Sequence, residues 1–145
     1  MASDIKLDFF YSIEFFAKLE LEALKLLFLA SEELRFDVGD IVFQQGERSD
    51  GGYVITSGQI TLYQDESFAV VVFVAGRGVL LGELSLISDT ERAVTAIATE
   101  ATSVLRISRG SFKRVLQEYP SSAERLRLQV SDRLAAFIGD LKLMA

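Results

Sequence analysis

A carboxylate and an arginine frame the segment from Gly82 to Ala96, with Glu83 directly after a glycine and Arg92 leading into an alternating strand pattern. A guanidinium pairs with a phosphate charge through charge-assisted hydrogen bonds, and free backbone amides in a turn add further donors. A carboxylate accepts hydrogen bonds, including those from sugar hydroxyls. The segment therefore predicts a small site for an anion that carries a sugar.

The chain contains no cysteine and no histidine. This composition excludes a disulfide framework, thiolate and imidazole metal sites, a cysteine nucleophile and a Ser-His-Asp triad. Carboxylates such as Glu83 and Asp89 have no nucleophile or cofactor loop beside them that would make them an acid and base pair. We expect no catalytic activity, no metal and no cofactor, and a small organic ligand as the binding partner.

The length and charge of the chain limit its partners. It has 145 residues, half of them hydrophobic, which predicts one domain over residues 1–145. The net charge of −6 disfavours a nucleic-acid surface, which needs clustered Lys and Arg. The N-terminus lacks the basic region of a signal peptide, and no apolar run approaches the about 20 residues of a membrane helix. We expect a cytoplasmic chain that binds neither nucleic acid nor membrane.

The hydrophobic pattern divides the chain into three parts. Helical spacing from Ile13 to Leu29 predicts a helical lead-in over 1–35, whose aromatic residues are predicted to pack in the core or to cover an open end of the roll. Residues 36–109 are short β-branched and aromatic runs separated by glycines, which predict an all-β roll. The predicted strands are Asp40–Gln44, Gly52–Ser57, Gln59–Tyr63, Phe68–Val74, Ala93–Ala98 and Ser103–Ile107, with a hairpin tip at 64–67.

Two helices are predicted in the third part, residues 110–145. The first stops at Pro120, because proline cannot continue a helix. The second, over 121–142, begins with the capping-box pattern Ser121-x-x-Glu124. It carries an apolar stripe that packs either on its own roll or on the same helix of a second subunit. The stripe residues are Leu126, Val130, Leu134, Phe137, Ile138 and Leu141.

Four segments, in this order along the chain, resemble the cyclic nucleotide-binding domains of catabolite activator protein, protein kinase A regulatory subunits and nucleotide-gated channels. They are the helical entry at 15–19, the hairpin Val38–Glu47, the strand pair Tyr53–Ile60 and the phosphate-binding cassette at 81–96. Each is weak evidence alone, but four in the right order favour membership of the family. The resemblance implies a mainly β fold with flanking helices: a double-stranded β-helix, or jelly roll, with N-terminal helices and two C-terminal helices.

The resemblance also implies a ligand site in the cassette. The implied ligand-binding residues are Gly82, Glu83, Leu84, Ser85, Arg92 and Ala93. Glu83 would accept the ribose 2′-hydroxyl and Arg92 would pair with the cyclic phosphate. Gly82 permits close backbone approach, while the two amides after Glu83 and the amide of Ala93 would donate to phosphate oxygens. Seen singly, these residues are ordinary solvated charges, and only their joint arrangement favours the ligand site.

Two positions bear on ligand preference. In this family a Thr or Ser after the arginine helps to recognise the guanine amino group, so Ala93 favours cyclic AMP over cyclic GMP. Glu91 stands where many relatives have proline or a basic residue, and its carboxylate would repel phosphate and compete for Arg92. Its ordinary interpretation is a charge that faces water.

The resemblance implies a non-catalytic cytoplasmic sensor that binds a cyclic nucleotide and signals through its C-terminal helices to an effector protein. We expect a stand-alone domain without the helix-turn-helix of the transcription factors in this group. Arg133 and Phe137 are candidates to cap the base. The alternative is a ligand-independent dimerisation or docking module of the same fold, whose homodimer would form through the 121–142 helix at Phe137 and Ile138.

Overall fold

The computed structural model describes residues 9–64 and 70–131. A short 3₁₀ helix at Glu14–Phe16 and helix α1 at Leu21–Ala30 precede the strands. The strands are β1 Glu32–Phe36, β2 Ile41–Phe43, β3 Gly51–Ser57, β4 Ile60–Tyr63, β5 Val71–Ala75, β6 Leu80–Leu81, β7 Thr95–Ala98 and β8 Thr102–Ser108. Helix α2 at Arg109–Glu118 follows them, and helix α3 runs from 120 to 131, the last described residue.

The eight strands form two four-stranded antiparallel sheets, in the orders β1-β8-β3-β6 and β2-β7-β4-β5. Two sheets flanked by helices at both ends of the chain confirm the predicted jelly roll. One core cluster lies between the sheets around Ile55, Ile60 and Val104. Within the two described ranges, no helix is long and apolar enough to cross a membrane.

The second core cluster lies under the helices and is rich in aromatic rings, as predicted. Phe10 and Phe16 stack with 5.3 Å between ring centres, and Phe15 stacks on Phe112 of α2 at 5.7 Å. All four rings are buried. The N-terminal elements and α2 therefore share one hydrophobic core, which fixes α2 against the roll.

The lead-in differs from the prediction in two places. The roll begins at Glu32, not at Phe36, because Leu34 and Phe36 alternate with charged residues and pack against the sheet core as an edge strand. The predicted helix over 13–29 is interrupted before α1. Glu20 has an extended backbone there. Its N–H donates to Ser122 Oγ of α3 at 2.8 Å, so this contact takes the place of a hydrogen bond within a helix.

The predicted capping box of the last helix is wrong. Pro120 is already helical, so Ser121 lies inside α3 and not at its N-cap. Ser121 instead donates to the Glu20 carboxylate, and Glu124 pairs with Arg127 at 2.7 Å. Leu126 is buried in the helical core cluster, and Val130 packs against that cluster, which fits the alternative in which the stripe packs within its own subunit.

Several predicted features lie outside the described residues. They are the hairpin tip at 65–67, the stripe residues Leu134, Phe137, Ile138 and Leu141, and the base-capping candidate Arg133. Strand β6, with two residues, was not predicted. The homodimer through 121–142 stays a prediction, because its contact residues are among those not described.

The aromatic core should dominate stability. We expect Phe16→Ala to lower the free energy of unfolding by about 3–5 kcal/mol, because it leaves a cavity among fully buried rings. Leu29→Ala, at a position that is 76% exposed in α1, is the control and should change it by less than about 0.5 kcal/mol. Urea unfolding measures both, and similar losses in the two variants would contradict this account of the core.

Candidate functional site

A cavity of about 590 Å³ opens in the wall of the roll, next to the cassette. All six predicted ligand-binding residues line it: Gly82, Glu83, Leu84, Ser85, Arg92 and Ala93. They come from the end of β6, the 3₁₀ helix Leu84–Leu86 and the segment before β7. The structure therefore brings the two halves of the cassette to one cavity.

Arg92 is the charged centre of this cavity, and its side chain is held on three sides. Its Nη2 donates to the Gly51 carbonyl at 2.8 Å, and its Nη1 donates to Ser85 Oγ at 3.2 Å. The guanidinium carbon lies 4.3 Å from the centre of the Phe43 ring and 5.7 Å from that of Tyr53. These contacts fix the plane of the guanidinium beside the cavity.

Arg92 is only 6% exposed, and burial lowers its pKa because the charged form loses water. Its hydrogen-bond acceptors among the described residues are neutral, while Asp50 and Glu47 raise the pKa as more distant charges. A guanidinium stays charged in proteins and has five N–H donors. Among the described residues, Arg92 is thus a buried cation whose guanidinium keeps N–H donors that can hydrogen-bond an anion.

The main chain of Arg92 is also fixed. Its N–H donates to the Glu47 carbonyl and its own carbonyl accepts from Gly46, both at 2.8 Å. Gly46 has a φ of +89°, in the left-handed region that favours glycine. The turn before β3 therefore positions the arginine from outside the cassette, which the sequence analysis did not foresee.

Gly82 is required by the approach of Arg92. Its φ is +84°, and a Cβ placed there would lie 2.6 Å from Arg92 Nη1 and 3.0 Å from the Gly51 carbonyl oxygen. No side chain fits between the cassette backbone and the guanidinium without a displacement. The glycine thus leaves room for the Arg92 guanidinium, while its role in the approach of the backbone to a ligand stays a prediction.

The cassette places one leucine in the core and one at the surface. Leu86 is buried in the helical core cluster, whereas Leu84 is 64% exposed beside the cavity. Glu83 is half-buried and precedes the 3₁₀ helix with helical dihedrals. Ala93, which directly follows Arg92 in the chain, is exposed.

Most of the remaining cavity wall is apolar, and the sequence did not predict it. Phe43, Leu62, Phe73 and Val79 line it from three strands and a loop. The register pairs Leu62 with Phe73 across β4 and β5, which places the two side chains next to each other. Only the alternation of these strands hinted that one face would point inward. The cavity therefore offers an apolar surface for a flat ring next to a cationic centre.

Glu91 lines the cavity as well, and its side chain is exposed. Its backbone pairs with that of Arg48 in an isolated bridge. Arg48 itself forms an ion pair with Asp89 at 2.9 Å. Among the described residues no ion pair joins Glu91 to Arg92, which fits the interpretation of Glu91 as a solvated charge.

Arg109, the first residue of α2, ties the cassette to the helix. Its Nη1 donates to three carbonyl oxygens, those of Ser49, Ser85 and Ser88, each at 3.1 Å. Its Nη2 lies 3.8 Å from the Asp89 carboxylate. One side chain thus links the end of the cassette helix, the entry to β3 and the start of α2. In the two described ranges, no group of acidic residues could hold a metal ion.

The family comparison gives a match over residues 33–119 to the model of the cyclic nucleotide-binding domain. The matched range begins in β1 and ends just after α2, so it contains strands β2 to β8 and the residues that line the cavity. It also contains all six predicted ligand-binding residues.

Two curated relatives and one solved structure are similar to the chain. The cAMP-dependent protein kinase regulatory subunit of Dictyostelium discoideum is 32% identical over 113 residues, 77% of this chain and 35% of the relative. A lysophospholipase of Chaetomium globosum is 27% identical over 77% of this chain, which spans only 7% of that relative. A cyclic nucleotide-binding-like protein from Brucella abortus is 34% identical with a TM-score of 0.70, over 77% of this chain and 97% of its own.

Comparing substitutions at two glycines with similar φ separates the cost of a positive φ from the cost of a clash with Arg92. We expect Gly82→Ala to lower the free energy of unfolding by about 1–3 kcal/mol more than Gly39→Ala. Both residues have positive φ, but a Cβ at Gly39 meets nothing within 4 Å, whereas one at Gly82 meets the guanidinium. Urea unfolding of the two variants tests this, and equal losses would show that the close approach to Arg92 is not a constraint.

Proposed function

Because the chain belongs to the cyclic nucleotide-binding domain family, we propose that it is a regulatory module that binds cyclic AMP in the cavity beside Arg92. The observation that carries the proposal is the buried guanidinium of Arg92. It lines the cavity, and its hydrogen-bond acceptors among the described residues are the neutral oxygens of Gly51 and Ser85. A buried cation is costly unless an anion pairs with it, and a cyclic phosphate supplies one negative charge.

The ligand would lie with its phosphate at the cassette and its base on the apolar wall. Arg92 would pair with the phosphate, and the amides of Leu84 and Ala93 would add donors. The amide of Ser85 would join them only by leaving the Gly82 carbonyl, to which it donates at 3.0 Å. Glu83 would accept the ribose 2′-hydroxyl. The base would pack between Phe73 and Leu62, which line the cavity.

Cyclic AMP is preferred over cyclic GMP in this proposal because of Ala93. A methyl group has no hydrogen-bonding atom, so it gives the guanine amino group no partner next to the phosphate. The similarity to a cAMP-dependent kinase regulatory subunit supports the same preference. The Brucella abortus structure is described as cyclic nucleotide-binding-like and supports the ligand class.

The signal would pass from the cassette to α2 and α3, and from there to an effector protein. Leu86 packs in the same core cluster as Phe112 of α2, and Arg109 holds the cassette carbonyls. A ligand that shifts the cassette would therefore favour one arrangement of these helices. The module would catalyse no reaction, and the cytoplasm would be its location.

Removal of the Arg92 charge should weaken the binding of cyclic AMP and leave the fold intact. We expect Arg92→Gln to raise the dissociation constant of cyclic AMP by about 10-fold to 150-fold, because a hydrogen bond to a charged group contributes about 1.5–3 kcal/mol. Isothermal titration calorimetry gives the affinity, and circular dichroism shows that the variant is folded. Arg35→Gln is the matched control, since Arg35 is an exposed strand arginine outside the cavity. An unchanged affinity in folded Arg92→Gln would refute the assignment.

A further inference from the structure

Three hydroxyl groups form a chain behind Arg92. Ser85 Oγ accepts from Arg92 Nη1 at 3.2 Å and lies 3.3 Å from Thr90 Oγ1. Thr90 Oγ1 lies 3.0 Å from Ser49 Oγ, which donates to the Thr90 carbonyl at 2.7 Å. Ser49 and Ser85 are buried. We call Ser49, Thr90 and Ser85 the hydroxyl chain.

The number of hydrogens fixes the direction of every hydrogen bond in this chain, because each hydroxyl has only one to donate. The hydrogen of Ser49 is used on the Thr90 carbonyl, so Thr90 must donate to Ser49. Ser85 then has to donate to Thr90, since the Thr90 hydrogen is already used. Donation therefore runs from Arg92 to Ser85, then to Thr90, and ends at Ser49.

This direction gives the Ser85 side chain one role. Its hydrogen is committed to Thr90, so the oxygen can offer Arg92 only a lone pair, and it has no hydrogen left for a phosphate oxygen. Donation to Thr90 also polarises the Ser85 oxygen and makes it a better acceptor for a cation. The hydroxyl thus acts on the arginine. The Ser85 backbone amide is also occupied, because it donates to the Gly82 carbonyl at 3.0 Å.

We propose that the hydroxyl chain is a positioning device that holds the Arg92 guanidinium in the orientation that receives a phosphate. This positioning role is an addition to the proposed function, and it rests on that function for the identity of the ligand. Arg109 keeps the ends of the chain in place, because its Nη1 donates to the carbonyls of both Ser49 and Ser85. Ser49, which is not among the residues that line the cavity, is thereby assigned to the ligand site, as is Thr90, which lines it.

The first test follows Arg92 in the absence of any nucleotide. In ¹⁵N NMR spectra a guanidinium with restricted rotation gives resolved Nη signals, and a freely rotating one gives averaged signals. We expect resolved Arg92 signals in the unsubstituted protein and averaged ones in Ser85→Ala, with an intermediate effect in Thr90→Val. Ser88→Ala is the matched control, because Ser88 is an exposed hydroxyl of the same cassette segment.

The second test is the affinity for cyclic AMP by calorimetry. We expect Ser85→Ala to weaken binding about 10-fold and Thr90→Val about 3-fold, while Ser88→Ala leaves it unchanged. The effect of Ser85→Ala should disappear when it is added to Arg92→Gln, because a positioning residue acts only through the residue it holds. A purely structural role would lower affinity by a similar factor in both backgrounds.

The outcomes separate this proposal from the proposed function. If the unsubstituted protein binds no cyclic nucleotide but Ser85→Ala still frees the Arg92 side chain, the proposed function fails and the positioning role stands. If cyclic AMP binds but neither Ser85→Ala nor Thr90→Val differs from Ser88→Ala in both tests, the positioning role is refuted. If Ser85→Ala weakens binding equally in the Arg92→Gln background, Ser85 acts independently of Arg92, through a structural effect or a ligand contact, and the positioning role is refuted.

Discussion

The buried guanidinium of Arg92 is the interaction on which the site depends. Removing a charge from water is costly, and the structure offsets that cost with a carbonyl from Gly51, a hydroxyl from Ser85 and the face of the Phe43 ring. The described partners are neutral, so they orient the cation without cancelling its charge. Gly82 completes the arrangement, because any side chain there would occupy the space of the guanidinium.

The jelly roll explains why these partners can meet. Gly51 begins β3 in one sheet and Phe43 ends β2 in the other, so the arginine is held by both sheets at once. The cassette crosses from β6 to β7 and brings Ser85 to the same point. Arg109 then attaches the cassette carbonyls to the start of α2, and Phe112 of the same helix packs on the aromatic core. The cassette that contains Arg92 is thus joined to α2 by the side chain of Arg109.

The cassette residues could be predicted from the sequence because their chemistry lies within one short segment. The partners of Arg92 could not, because Gly51 and Phe43 are more than 40 residues away in the chain and meet it only through the pairing of strands. The roll was predicted from its glycines and β-branched runs, but the charged edge strand β1 was taken for helix. The capping box at Ser121 was wrong because the helix already includes Pro120, so Ser121 lies inside its first turn and contacts Glu20 instead.

The most direct test of the account is a calorimetric titration of the purified protein with cyclic AMP, and in parallel with cyclic GMP and linear 5′-AMP. All three ligands present a phosphate and a purine, so their comparison isolates the cyclic phosphate and the base. The account predicts micromolar or tighter binding of cyclic AMP, weaker binding of cyclic GMP and none of 5′-AMP. The absence of binding for all three, with the fold intact, would contradict the assignment of the Arg92 cavity as a nucleotide site.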